Sequence, residues 1–509
     1  MVRIDPGGGL VDWPPAAIAV IVGATAGRVG RLFERWGSIL ASAGRFAWVA
    51  AKPITKSVNV LRRAGLFAPG QATAAMVCGA MLLIGLLVLQ KFGVPYGDEG
   101  DNIEACLPFT YVAIATVIAM TQKIGFDYIR LALYSIFAIL AVSTNVFSGR
   151  AYSASSIEYA LAIYFPFTFR YFVSIDTMKR LMRLYVNASL VIVAVVVLQH
   201  LMQLAASPNI WPDLDKTMPD DWLVKGYNYI QPIKYGMRLM KPNAVFMLEA
   251  SFVSQYIALG LIVELIFFGR IIRMAILTAG LLLTFAGTGL LLVAACAPFL
   301  IFRMPRRVLI VALVVAGLTA FAAVELGWYS QVSHRLVEYQ STNSSAHERF
   351  VSPATAFFEF LQRPDSFYSG LGAGQIERSG GVLWWPVTKV TIEYGLLTTI
   401  VFAAFFIYSL FGDGGHLRLG FAMFVFYNFL SGSFAVPVNA LTCVFFCTLF
   451  RVANPPPPPK RMRRVTTPGI QAAETTPEPE VSEPEPEDET PPPTDSGAWT
   501  PAWNRPRKK

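Results

Sequence analysis

Residues 274–302 read "MAILTAGLLLTFAGTGLLLVAACAPFLIF", 29 residues without a charge. One helix crosses the hydrocarbon core of a bilayer with about 20 residues. The run is therefore long for one span and suits two short ones if the chain turns inside it. Gly287-Thr288-Gly289 offers that turn, because two glycines flank a polar residue there. Whether the run is one span or two decides on which side every later segment lies.

The rest of the chain agrees with a membrane setting. Of 509 residues, 54% are hydrophobic and 15% charged, against about 25% charged in a typical soluble domain. Apolar runs recur near 72–90, 107–121, 131–147, 157–174, 184–206, 244–268, 272–286, 288–303, 307–327, 386–411, 419–433 and 436–450. The expected fold is all-α, a polytopic membrane bundle of about twelve transmembrane helices. The positive-inside rule tests the count. From a cytoplasmic N-terminus, Lys123/Arg130, Lys179/Arg180/Arg183, Arg270/Arg273, Arg303/Arg306/Arg307 and His416/Arg418 all fall inside. The C-terminal cluster from Arg451 to Arg464 falls there too, whereas the acidic "YGDEGDNIEA" (96–105) falls outside. Only the split near Gly287 keeps every basic cluster on one side. Both termini are then cytoplasmic.

Residues 1–70 interleave arginines and lysines with Leu32, Phe33, Trp36, Ile39, Phe46 and Trp48. They read either as an amphipathic helix on an anionic leaflet or as a basic tail. The short apolar run at 16–25 has weak flanks, so no cleavable signal peptide is expected. The membrane domain covers 71–452, and 453–509 form a Pro- and Glu-rich cytoplasmic tail too polar to fold. That tail is either a docking segment or inert. The net charge of +9 reflects topology and lipid headgroups; nothing in it calls for nucleic acid. Cys443 and Cys447 stand one helical turn apart without a His or a second pair beside them, so they read as packing residues, and no disulfide framework is expected.

Two outside loops, 207–243 and 328–385, are long, as functional loops in compact domains are. The first carries Lys225, Lys234, Arg238 and Lys241 and leads to Glu249 near the outer end of the sixth span. A carboxylate there is expensive unless paired or wetted. It either pairs with Arg238 or Lys241 or lines a substrate cavity. The second carries His334, Arg335, His347, Glu348, Arg349, Arg363 and Arg378. Ser352-Pro353 can start a helix. Phe350, Ala354, Phe357 and Leu361 would give that helix an apolar face for docking, and Gly370, Gly372 and Gly374 a flexible turn. "GLGAGQ" lacks the Lys-Ser/Thr of a phosphate loop, and no H-E-x-x-H, C-x-x-C, D-x-D or nucleophile elbow occurs. Without D-x-D, anion binding falls to arginine, whose planar fork holds phosphate bidentately.

At these residues the chain resembles the O-antigen polymerase and O-antigen ligase family. "RLMKPNAVFMLEASFVSQYIALGLIVEL" (238–265) is similar to that family's Arg-then-Glu-Pro-Ser approach to a span, and "LLLTFAGTGLLLVAACAPF" (281–299) to the apolar pair that follows. "SSAHERFVSPATAFFEFLQRPDSFYSGLGAG" (344–374) resembles its Ser…Arg, amphipathic helix and Gly-x-Gly segment, and "VTKVTIEYGLLTTIVF" (387–402) its Glu-x-Gly-Leu helix. The resemblance covers roughly 235–410. It implies an inner-membrane glycosyltransferase that joins polyprenyl-pyrophosphate-linked oligosaccharides at the periplasmic face, for exopolysaccharide, capsule or O-antigen. It implies no sugar nucleotide, cofactor or metal. Its partners would be lipid-linked oligosaccharides, membrane lipids, and polysaccharide export or chain-length-control proteins.

Carried over, Arg238 is the loop-one arginine, Glu249 the span-six acid and Arg349 the loop-two arginine, and the resemblance implies that the arginines bind the pyrophosphate. Beside these, the chain's own polar residues offer Glu249 or His347 as base and Lys241 and Arg363 as further substrate contacts. Two departures matter. Gly287-Thr288-Gly289 stands where many members have Ser-Arg-Gly, so one arginine is missing. Trp384-Trp385 stand where ligases carry His-Asn, which favours a polymerase over a ligase. These tryptophans either stack on sugar rings or join the interfacial aromatic belt. A lipid-linked oligosaccharide flippase is the main rival, and a subunit of a secretion complex another.

Overall fold

The computed structural model describes residues 70–96, 101–121, 124–205, 213–233, 237–301, 317, 347–378, 385–412, 415–430 and 433–452. The expected N-terminal amphipathic segment, the span at 307–327 (apart from Gly317), the C-terminal tail and Trp384 lie outside the described residues.

The described chain is predominantly helical. In order come α1 (Gln71–Leu87), a hairpin of β1 (Gly93–Tyr96) and β2 (Asp101–Glu104), α2 (Cys106–Thr121), β3 (Gly125–Phe126), α3 (Tyr128–Phe147), α4 (Ala154–Tyr164) and β4 (Phe169–Val173). Then follow α5 (Ile175–Ala205), α6 (Ala250–Phe267), α7 (Ile271–Leu283), α8 (Gly287–Ile301) and a π turn (His347–Val351) running into α9 (Ser352–Leu361). The last elements are α10 (Pro386–Tyr394), α11 (Leu396–Phe411), α12 (Leu417–Val425) with a π turn (Phe426–Leu430), α13 (Pro437–Cys443) with another (Val444–Thr448), and β5 (Phe450–Val452). Helices α3, α5 and α6 are long and apolar enough to cross a membrane. Eleven of the twelve expected apolar runs overlap helices, and the twelfth lies outside the described residues apart from Gly317.

The connecting segments gather at two ends. At one, β3, β4 and β5 form a small sheet, and buried Arg130 donates to the carbonyls of Phe167 and Thr448 at 2.8 and 3.0 Å. Phe267 meets His416 at the same end, with ring centroids 5.2 Å apart. These are all segments expected inside. At the other, Phe92 just before β1 bridges to Leu223, Lys91 pairs with Asp215 at 2.8 Å, and Ser153 N–H donates to Ala373 O at 2.9 Å. Those segments are all expected outside.

The decisive run is indeed two helices. The break comes at Thr284–Ala286, where Phe285 is left-handed (φ 51°), and Gly287-Thr288-Gly289 instead opens α8. The glycine there serves close packing: a Cβ on Gly289 would lie 2.3 Å from the Ser254 carbonyl oxygen of α6.

Other expectations need correction. The fold is not purely helical: the expected span at 157–174 leaves its helix at Tyr164, and the aromatic and β-branched residues 169–173 pair as a strand between β3 and β5. The span at 244–268 starts late, at Ala250. Ala244 and Val245 are left-handed, and Asn243 holds the turn by accepting from Val245 N–H at 3.0 Å and donating to Tyr229 O at 3.1 Å. The span at 386–411 is broken at Gly395 (φ 88°). The glycine stretch 370–374 is no flexible turn, because it repairs this break. Leu371 and Gly372 N–H donate to Ile392 and Glu393 carbonyls at 2.6 and 3.2 Å. Leu396 and Leu397 N–H donate to Ser366 and Phe367 carbonyls at 2.9 and 3.0 Å. Every backbone group that a break frees in an apolar setting needs such a partner.

Candidate functional site

Glu249 is the residue before α6, in extended conformation (φ −161°, ψ 169°), so it sits at the helix mouth. Its Oε1 accepts from Arg349 Nη2 at 2.7 Å. The side chains are 4% and 12% exposed, which makes this a buried ion pair between the second long loop and the start of α6. Ser251 Oγ donates to the same carboxylate oxygen. Behind it, Ser254 Oγ lies 3.0 Å from Thr288 Oγ1, and Thr288 Oγ1 donates to the Ser251 carbonyl at 3.2 Å. The threonine between the two glycines therefore braces the strand-like mouth of α6.

The partner of Glu249 is thus neither Arg238 nor Lys241. Arg238 is exposed in the hairpin closed by the Pro232–Met240 bridge. Lys241 Nζ donates to Gln231 Oε1 at 3.4 Å across that hairpin. Arg363 is exposed and stacks its guanidinium 5.9 Å from the Phe360 ring. The described contacts bring none of the three to the pair. His347 is half-buried in the π turn that carries Arg349, two residues before it. Trp385 caps α10 and packs edge-on against Phe429 at 5.4 Å, with its Nε1 buried and without a hydrogen bond among the described residues. On α6, Gln255 is fully buried and donates to the Leu430 carbonyl at 3.2 Å, which leaves its Oε1 unmatched. Trp385 and Gln255 thus contact successive residues of one π turn.

Sequence reasoning missed Glu104 and Tyr227. Glu104 is buried at the end of β2, where its Oε2 accepts from Val438 N–H at 3.2 Å and from Cys106 Sγ at 3.5 Å. Burial outweighs these bonds and pushes its carboxyl up to about 8. The Tyr227 ring packs edge-on against Phe252 at 5.7 Å. Burial and then the charges of Glu104 and Glu249 push its hydroxyl well above the usual range, with Arg349 opposing. Tyr227 therefore feels both carboxyls and the guanidinium, and these groups form one polar cluster. A signal was available: Glu104 precedes an apolar run just as Glu249 does.

Comparison with family models, curated proteins and solved structures finds no match for this chain. The chemistry must be argued from the cluster itself. Arg349 is a buried, oriented guanidinium whose carboxylate partner an incoming phosphate oxygen can replace. Glu249, once released, is a carboxylate able to accept a proton. Among the described residues no group of three or more His, Cys, Asp or Glu could hold a metal ion.

Proposed function

We propose that the chain is a multi-pass inner-membrane polymerase with both termini cytoplasmic. It joins polyprenyl-pyrophosphate-linked oligosaccharide units at the periplasmic face, building an exopolysaccharide, capsule or O-antigen. The observation that supports this most is the buried Arg349–Glu249 pair at the outer end, in a chain with three helices apolar and long enough to span a bilayer.

In the reaction an acceptor sugar hydroxyl attacks the anomeric carbon of the donor. The new C–O bond forms as the bond to pyrophosphate breaks, and the electron pair leaves with the pyrophosphate. Arg349 stabilises that growing charge, as a fixed cation in a water-poor site does. Glu249, displaced from Arg349, takes the hydroxyl proton, with His347 as the second candidate base. Exposed Arg238 and half-buried Lys241, on the loop-one hairpin and away from the pair, are the further cations for a substrate phosphate. Trp385 and Gln255 offer one donor and one acceptor to a sugar ring.

One observation favours a second reading, a flippase for the same lipid-linked units. Helices α10 and α11 are a discontinuous pair with Lys389 and Glu393 buried beside the break, a pattern frequent in transporters. Deleting the gene separates the two. Single repeat units accumulating on the outer face mark a polymerase, and units trapped inside mark a flippase. A ligase-type transferase would instead leave long polymer on the lipid carrier. Full-length polymer from Arg349→Ala would overturn the site.

A further inference from the structure

Helix α9 has two apolar flanks, and among the described residues protein covers only one. Ala356 and Phe360 pack with Leu371, Ile376 and Ile392, and Pro353 is buried on the same face. Of the face expected to dock, Phe350 packs on the main core, whereas Ala354, Phe357 and Leu361 are half-exposed, and Phe358 beside them is 64% exposed. Spacing of i, i+3, i+4 and i+7 puts Ala354, Phe357, Phe358 and Leu361 on one continuous stripe. Thr355, Glu359 and Gln362 form an exposed polar flank between this stripe and the buried face.

The chain after α9 continues that stripe. Phe367 is exposed and Tyr368 is 69% exposed. Their depth is fixed, because the carbonyls of Ser366 and Phe367 accept the first N–H groups of α11. Below them on α11, Ile400 and Ile407, seven residues apart and so on one face, are exposed apolar residues. Phe147, at the outer end of neighbouring α3, is exposed as well. Exposed Arg363 and the Arg150–Asp365 ion pair supply charge at the same level. Apolar spans, aromatic rings at their ends and arginine just beyond are the order of groups across a bilayer interface.

We propose that the uncovered flank of α9, together with Phe367 and Tyr368, seats in the outer-leaflet interface of the lipid bilayer. Phe357, Phe358 and Leu361 lie at the acyl boundary and Arg363 meets headgroup phosphates. This rests on the membrane reading above. It has a consequence for the site: α9 is continuous with the π turn that carries Arg349. Seating the helix on lipid fixes the height of that guanidinium at the level where a polyprenyl carrier presents its pyrophosphate.

Nitroxide labels on introduced cysteines test this in vesicles of phosphatidylethanolamine and phosphatidylglycerol. The five native cysteines are buried, and the unsubstituted protein gives the background. Phe358→Cys and Tyr368→Cys labels are expected to collide with oxygen several-fold more than with a water-soluble nickel chelate. Glu359→Cys, on the polar flank, should show the reverse, and Ile400→Cys should report the acyl region. If the labels at 358 and 368 behave as at 359 while 400 reports lipid, the proposal fails and the membrane reading stands. If 358 and 368 are immobile and reached by neither agent, protein covers them and the proposal fails likewise. An aqueous label at 400 overturns both.

Discussion

At the residue scale, the outer-end cluster is a set of ionisable groups that need each other. Removing one partner of a buried pair leaves an uncompensated charge, a cost of about 3–5 kcal/mol. Arg349→Ala is therefore expected to lower thermal stability in detergent as well as to shorten the polymer. Arg349→Lys keeps the charge but loses the fork. It should retain most of the stability while polymer length still falls, and that split separates chemistry from folding. Glu104 gives a pH signature. Its carboxyl titrates near 8 when folded and near 4.5 otherwise. Between those values the folded chain holds a proton that the unfolded chain has released, so stability falls as pH rises across the window. Glu104→Gln keeps an acceptor for Val438 and should flatten that fall, read from melting temperatures between pH 5 and 9. Each residue of the Arg349–Glu249 pair is legible in the sequence as a candidate. The pairing is not, because 100 residues separate them and two nearer cations competed for Glu249.

At the element scale, the instructive part is the broken helix α10–α11. Its apolar run reads as one span from 386 to 411, and hydropathy does not register a single left-handed residue inside it. The glycines of 370–374 read as a loop for the same reason, since glycine permits both a free turn and a close backbone approach. The structure uses the second property. A Cβ on Gly370 would lie 2.1 Å from the Glu393 carbonyl carbon. Gly370→Ala should therefore push the segment off α10 and unpair the backbone groups it satisfies. A loss of about 1–3 kcal/mol is expected from the overpacking. Hydrogen exchange should rise at residues 392–397, and unchanged exchange there would argue against the repair role. The docking face of α9 is legible only in part for a related reason: Phe350 meets the main core, but the apolar arc of the helix is wide enough for two surfaces, and periodicity does not say which one the rest of the protein covers.

At the scale of the whole molecule, the alternation of connecting segments between two ends predicts labelling by side. A cysteine at exposed Trp222, at the outer end, should react with an impermeant reagent in intact cells. One at exposed Leu417 should react only after permeabilisation. Identical reactivity at both would break the proposed topology, and with it the periplasmic location of the cluster.

The sequence by itself determined the predominantly helical class, the place of most of its apolar helices, and the break in the 274–302 run. These follow from hydropathy and charge, which act residue by residue along the chain. Only the tertiary structure decided that Arg349 belongs to Glu249, that Glu104 and Tyr227 join them, and that a glycine stretch repairs a broken helix. Those outcomes depend on which distant groups a folded bundle can bury together without leaving a charge or a backbone group unsatisfied.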